Sequence, residues 1–138
     1  SPQLYQRIID HYNLRDRIIF HDHFIPDENV GDYFNAADLV VQPYRSATQS
    51  GVSQIAYHFN KPIVVTNEGG LGEWVLQQKT GYVVDPKPRA IADAIEDFLK
   101  SEDKEVFSNN IETYKQKFSW DSMVNLIDEL HTNLQNNI

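Results

Sequence analysis

Apolar residues along this chain follow two spacings in turn: runs of three or four β-rich residues, and stripes at i, i+3, i+4 and i+7. Leu4, Ile8, Ile9 and Tyr12 share one face of a helix predicted over residues 3–13, which Asn13, Leu14, Arg15 and Asp16 break. Ile18, Ile19 and Phe20 read as a buried strand within residues 17–21. Pro26 opens a second helix, with Asp27 and Glu28 in the turn where the dipole favours negative charge and Val30, Tyr33, Phe34 and Ala37 as its stripe. Gly31 costs that helix about 1 kcal/mol relative to alanine. Leu39, Val40 and Val41 form the next predicted strand, ended by Pro43. After a polar loop to Ser50, the residues Val52, Ile55, Ala56 and Phe59 mark another helix face. Ile63, Val64 and Val65 make the third strand, and Glu68, Gly69 and Gly70 turn the chain into a helix predicted over residues 71–78. Gly81 leaves that helix, and Tyr82, Val83 and Val84 are the fourth strand. From Pro88 onward the pattern is helical. Ile91, Ala94, Ile95, Phe98 and Leu99 form one stripe, and a more polar helix covers residues 103–117. Ser119 caps a last helix whose face is Trp120, Met123, Val124, Ile127 and Leu130, and residues 135–137 are expected to fray.

This alternation predicts an α/β fold: a Rossmann-like parallel sheet of about four strands flanked by helices, with further helices at the C-terminal end. Ligands of such sheets sit at the carboxyl ends of the strands. The turns there are residues 21–26, 42–50, 66–70 and 85–88, and the stretch 45–73 supplies two of them. Each of those two is expected to open a helix. Unpaired N–H groups and the helix dipole make such ends anion sites. Four strands are few for a doubly wound domain, and the chain opens on a helix with no strand before it. Missing strands at the amino end are the expectation.

Composition narrows the partners. A length of 138 residues suits one domain, and no stretch has the length or polarity of a membrane span. Ser1, Pro2 and Gln3 lead directly into amphipathic sequence, so no signal peptide is expected. Cysteine is absent, which excludes a disulfide framework, a thiol nucleophile and a thiolate metal site, and suits a reducing cytoplasm. The formal charge of −8 argues against a nucleic-acid partner, because counterion release needs clustered Lys and Arg. A phosphorylated small molecule stays open, since backbone dipoles hold phosphate on acidic proteins.

The candidate chemistry lies in two loops. Ala47, Thr48, Gln49, Ser50, Gly51 and Val52 place small residues where a helix begins: Gly51 lets a ligand approach the backbone, and Ser50 or Thr48 can cap the helix or meet a phosphate oxygen. An ordinary capped helix start explains the same pattern. Glu68, Gly69, Gly70, Leu71, Gly72 and Glu73 resemble a phosphate loop but lack the Walker lysine and Ser/Thr, and a plain glycine turn is the alternative. Arg45 and Lys61 are the nearest basic residues, the latter with a surface role as its default. His21 and His23 share a face in extended structure without an evident third ligand, so a polar loop is preferred to a metal site. His58 and Trp120 read as packing residues, and no Gly-x-Ser-x-Gly elbow marks a nucleophile.

Taken in order, these motifs resemble a known family. Ala37-Asp38-Leu39-Val40-Val41-Gln42-Pro43, Ser50-Gly51, Lys61-Pro62-Ile63-Val64-Val65-Thr66, Gly69-Gly70-Leu71-Gly72-Glu73, Gly81-Tyr82-Val83-Val84 and Phe118-Ser119-Trp120 are similar to the C-terminal half of the family 4 (group 1) retaining glycosyltransferases. The resemblance implies a GT-B architecture of two Rossmann-like domains with the nucleotide-sugar donor on the C-terminal one, and it typically requires neither metal nor cofactor. It places the diphosphate on the amides of Gln49, Ser50, Gly51 and Val52, with Arg45 facing it. The base meets the backbone at Phe24 and Ile25, and the donor sugar and phosphate lie near Gly69, Gly70, Leu71 and Glu73.

Two departures qualify the analogy. The family's usual pair of glutamates falls on Ala47 and Ile55, and a one-residue shift toward Thr48, Gln49 or Gln54 restores no carboxylate. Gln54 is the neutral candidate for a ribose contact, and the catalytic residues are left unassigned. The second departure is length. The family's first two donor-domain strands, a basic pair and the acceptor domain are missing, so residues 1–138 read as a partial donor domain without transferase activity of its own. The full-length protein is expected to be cytoplasmic, free of transmembrane segments and peripheral to the inner membrane face at most, with a glycan or lipid-linked acceptor. The truncated chain is expected to expose apolar surface and to self-associate. A GT-B nucleotide-sugar epimerase and a non-catalytic module binding a phosphorylated ligand are the alternative readings.

Overall fold

The computed structural model describes residues 2–116, 124–128 and 132. It divides into two compact units, Ser1–Val30 and Gly31–Ile138. In the first, α1 (Pro2–His11) ends where Asn13 takes a left-handed conformation at φ 53°, and Arg15 donates from its guanidinium to Asp10 at 2.7 Å. The apolar stripe foreseen for α1 is present but uncovered, with Leu4, Tyr5, Ile8 and Tyr12 all exposed. The run Ile18, Ile19 and Phe20 is not a strand. A strand persists only where a neighbour completes its hydrogen-bond ladder, and within this unit none of the described residues does so; Ile19 is 87% exposed.

Helix α2 (Asp27–Ala36) has the acidic first turn expected of it. Its glycine has a packing reason. A Cβ on Gly31 would sit 3.5 Å from the Phe59 ring, which also stacks on Phe34 at 5.7 Å between centroids. Lys61 donates to the Asn35 carbonyl at 3.2 Å, placing a cation at the C-terminal end of α2 where the dipole favours it.

Among the described residues the sheet has three parallel strands in the order β1 (Val40–Gln42), β2 (Ile63–Thr66), β3 (Gly81–Val84). All four residues of β2 are buried, as an apolar central strand covered on both faces should be. On one face Ile63 and Val65 pack with Ala56 and Tyr57 of α3 (Gly51–His58), with Leu71, Val75 and with Ile111 of α5 (Glu105–Lys115). On the other, Val64 and Tyr82 pack with Ala94 and Phe98 of α4 (Pro88–Lys100) and with Phe107 of α5. The α/β class therefore stands with three strands.

Two further expectations need correction. The buried face of α3 is Ser53, Ala56 and Tyr57, whereas Val52 and Ile55 are 36% and 37% exposed. Hydrogen bonds to Ser53 and Tyr57 make those polar positions cheap to bury, and the stripe rotates by one residue. Residues 71–78 form turns, not a helix. Leu71, Glu73 and Val75 donate to the carbonyls three residues earlier, and three glycines within four positions oppose a helical nucleus. Gly81 likewise has no left-handed role: a Cβ there would lie 2.1 Å from the Ile63 carbonyl, so it permits close approach of β3 to β2. The N-cap Ser119 and the side chains of Trp120, Met123 and Leu130 lie outside the described residues, as does the tail 135–137. Among the described residues no helix is long and apolar enough to cross a membrane.

Gly81→Ala is expected to lower the unfolding free energy by at least about 2 kcal/mol in urea titrations, because the clash is with backbone. Gly51→Ala, whose Cβ would meet nothing within 4 Å, should stay within about 0.5 kcal/mol of the parent.

Candidate functional site

The carboxyl ends of β1 and β2 lead into two loops that the structure locks together. Gly69 has φ 54°, and a Cβ on it would fall 1.8 Å from the Ala47 carbonyl. Beside it the Gly70 amide donates to the Thr48 carbonyl at 2.8 Å. Thr66, buried at the end of β2, donates its hydroxyl to the Tyr44 carbonyl at 2.6 Å. Gln42, the buried last residue of β1, donates to Ser53 in the first turn of α3 at 3.0 Å. These bonds fix the irregular segment 43–50 and aim the start of α3.

That start is capped by Ser50, whose extended backbone lets its Oγ accept from the Val52 amide at 3.2 Å. Among the described residues, the amides of Gln49, Ser50 and Gly51 donate to no protein group. A Cβ on Gly51 would meet nothing within 4 Å. The glycine turn behaves differently. The amides of Gly70, Leu71 and Glu73 are taken by Thr48, Glu68 and Gly70 carbonyls, so one helix N-terminus faces outward here where two were expected.

A cleft of about 460 Å³ runs along α3 from this point. It brings together Gln49, Ser50, Gln54, Gly70 and Leu71 from the expected set, and adds Ser53, Tyr57, His58, Trp74, Tyr114 and Lys115, which the sequence reading did not assign. The α3 members were within reach of helical spacing, because 50, 54, 57 and 58 lie on one side of a helix. Tyr114 and Lys115 arrive from α5, and only tertiary packing brings them in. Gly51 and Val52 stand at the helix start, and Gly69 and Glu73 in the turn. Arg45 lines a separate depression of about 140 Å³ with Pro43, Thr66, Pro86, Pro88 and Ile91. Phe24, 82% exposed, and the half-buried Ile25 belong to the first unit. Of the two positions where the family's glutamates would fall, Ala47 packs against the core and Ile55 lies partly exposed on α3.

The wall of the cleft is a relay of hydroxyls. The Leu76 amide donates to Thr80 at 2.9 Å, Thr80 lies 2.7 Å from the Tyr57 oxygen, and Tyr57 donates to the Trp74 carbonyl at 3.1 Å. Burial pushes the Tyr57 phenol up to about 12, against the opposing pull of the Thr80 hydrogen bond. At the far end Lys115 bridges Glu112 at 2.7 Å and Asn60 at 2.8 Å, which lowers the Glu112 pKa. Among the described residues no cluster of three or more His, Asp or Glu side chains could hold a metal ion.

Comparison with known proteins identifies the class. Residues 2–118 match the family described as glycosyl transferases group 1. The D-inositol 3-phosphate glycosyltransferase of Corynebacterium urealyticum is 29% identical over 111 residues, covering 79% of this chain and 26% of that protein. The sucrose-phosphate synthase tll1590 of Thermosynechococcus elongatus superposes with a TM-score of 0.73 at 26% identity, over 99% of this chain and 35% of the other. Anabaena Alr3699/HepE, solved in complex with UDP, superposes at 0.74 with 24% identity over 96% of this chain and 36% of its own. The chain belongs to the group 1 glycosyltransferases and has the fold of their C-terminal domain. It spans about a quarter to a third of the length of these relatives.

The Tyr57 phenol gives the cleft wall a pH signature. An acid whose folded pKa lies near 12 and whose unfolded pKa is near 10 releases its proton more readily when unfolded, so stability is full below pH 10 and falls as pH rises toward 12. The loss should be about 2 kcal/mol in denaturant titrations across that window, and Tyr57→Phe should reduce it.

Proposed function

We propose that this chain is the donor-binding part of a retaining glycosyltransferase, and that the start of α3 holds the diphosphate of a nucleotide-sugar. The observation carrying this reading is the open helix start: among the described residues the amides of Gln49, Ser50 and Gly51 have no protein acceptor, and a Cβ on Gly51 would meet nothing within 4 Å. Outward amides and the dipole of α3 together favour an anion at that point. Membership of a transferase family and the UDP bound by the Anabaena neighbour support the choice of ligand. In the complete enzyme the same amides would stabilise the leaving diphosphate as the glycosidic bond breaks, with Val52 beside them and Arg45 approaching from the Pro43 side. Gly69, Gly70, Leu71 and Glu73 would border the sugar end, and Gln54 a ribose hydroxyl. The charge is met by backbone dipoles and needs no metal or cofactor in this scheme.

Acceptor binding belongs to a second Rossmann-like domain outside residues 1–138, for a glycan or lipid-linked acceptor on the cytoplasmic side. Without that domain the cleft cannot exclude water or align two substrates, so the isolated chain is expected to transfer no hexose. Any transfer by the purified chain would overturn this division of labour.

UDP and other nucleoside diphosphates at about 100 times Kd should stabilise the chain by roughly 2.7 kcal/mol in thermal-shift assays. Gly51→Val, whose Cβ would meet nothing within 4 Å, should abolish that response while the unliganded melting temperature stays close to the parent's. An unchanged response would remove the α3 start from the site. The exposed Leu4, Tyr5, Ile8, Tyr12 and Ile19 of the first unit also give self-association a surface. Sedimentation velocity should show mass rising with concentration, and a concentration-independent monomer would count against it.

A further inference from the structure

Gln42 is a polar side chain where packing alone would be served by an apolar one. Residues two apart on a strand share a face, so Gln42 lies with Val40 on the side of the sheet that α3 covers, and Val40 packs there against the cluster holding Ala56 and Tyr57. Gln42 is 3% exposed and Ser53, in the first turn of α3, is 6% exposed. Among the described residues their side chains bond only to each other: Gln42 Nε2 donates to Ser53 Oγ at 3.0 Å, and Ser53 Oγ lies 3.4 Å from Gln42 Oε1. A buried neutral pair of this kind contributes about 1 kcal/mol net, and an apolar pair of the same shape is about as stable. What the hydrogen bond adds is direction, because it weakens steeply when bent. The pair therefore sets where the first turn of α3 points.

Ser53 also stands three residues after the cap Ser50. From that position a polar side chain can reach back to the cap residue's own amide and close a capping box. Here the Ser53 hydroxyl is engaged on β1 by Gln42, and the Ser50 hydroxyl accepts from the Val52 amide. Among the described residues the Ser50 amide donates to no protein group. We propose that Gln42 is a positioning residue for the diphosphate cradle: it draws the Ser53 hydroxyl toward β1, orients the first turn of α3 and leaves the Ser50 amide free for a phosphate oxygen. Gln42 is not among the residues lining the cleft and acts through Ser53, which is.

The proposal rests on the reading that the start of α3 holds a diphosphate, and its test separates the two. UDP would be titrated calorimetrically into the parent chain and into the double variant Gln42→Leu/Ser53→Ala, and ¹H–¹⁵N spectra of both would be recorded without ligand. The double variant makes both partners apolar, so its melting temperature should stay close to the parent's. Its UDP affinity should fall by about tenfold or more, the contribution of one charge-assisted hydrogen bond. The amide resonances of Ser50 and Gly51 should shift in the unliganded double variant. Ser53→Thr, which keeps the hydroxyl, should bind UDP as the parent does. Val64→Ala, on the other face of the sheet, should lower the melting temperature and leave UDP affinity unchanged, which separates orientation of the cradle from loss of stability. Gln42→Met, with Ser53 intact, carries the same expected loss of affinity should the double variant fail to fold. Equal UDP binding by the parent and either Gln42 variant would overturn this proposal and leave the cradle reading standing. A parent chain that binds no UDP would overturn both.

Discussion

The contact on which this structure depends is the clasp between the glycine turn after β2 and the loop before α3. The loop 43–50 has no regular structure of its own, yet it must deliver Ser50 to one place so that α3 starts against the sheet edge. The Gly70 amide on the Thr48 carbonyl does this at 2.8 Å, and it is possible only because Gly69, at φ 54°, has no Cβ to strike Ala47. A single hydrogen bond of this kind contributes about 1 kcal/mol net. Its geometric consequence is larger, because Thr66 on Tyr44 fixes the loop at a second point and Gln42 on Ser53 ties α3 itself to β1. Two bonds from the strands and one from the glycine turn thus set the direction of one helix.

The clasp changes what the glycines mean. A run with glycine at 69, 70 and 72 invites comparison with a phosphate loop, where missing side chains let a ligand approach the backbone. Here the backbone that approaches is the protein's own. The two readings are indistinguishable in one dimension, since both require only that Cβ be absent. The glycine whose Cβ would meet nothing within 4 Å is Gly51, at the start of α3.

What was legible in the sequence follows from where each signal is local. Val40, Val41, Ile63, Val64, Val65, Tyr82 and Val83 announce their strands because a covered parallel sheet needs unbroken apolar runs, and the neighbouring prolines mark their limits. Ser50 as an N-cap was equally readable, being a matter of one side chain and one amide. Ile18, Ile19 and Phe20 have the same composition as the true strands, but a ladder partner decides, and composition does not carry that information. Residues 71–78 misled through apolar spacing that turns also satisfy when Leu71 and Val75 both reach the core. The rotation of α3 was hidden because Ser53 and Tyr57 are buried through partners eleven and twenty-three residues away, Gln42 and Thr80.

The substitutions at Ala47 and Ile55 look different once the clasp and the helix start are considered together. On a chain of net charge −8, a bound diphosphate is opposed by the overall field, but that field is screened beyond about 8 Å at physiological salt. The balance is then set by groups close to the helix start. Two carboxylates there would each need a hydroxyl or a cation to offset their repulsion of the phosphate. An alanine that packs under the clasp and an isoleucine on the flank of α3 impose no such requirement. In the proposed reading their loss removes negative charge from beside the leaving group and leaves the amides of Gln49, Ser50 and Gly51 as the main local field. The sugar and ribose hydroxyls that acidic side chains would otherwise accept must then find neutral partners. Gln49 and Gln54 are the uncharged acceptors that the same helix start brings within the cleft.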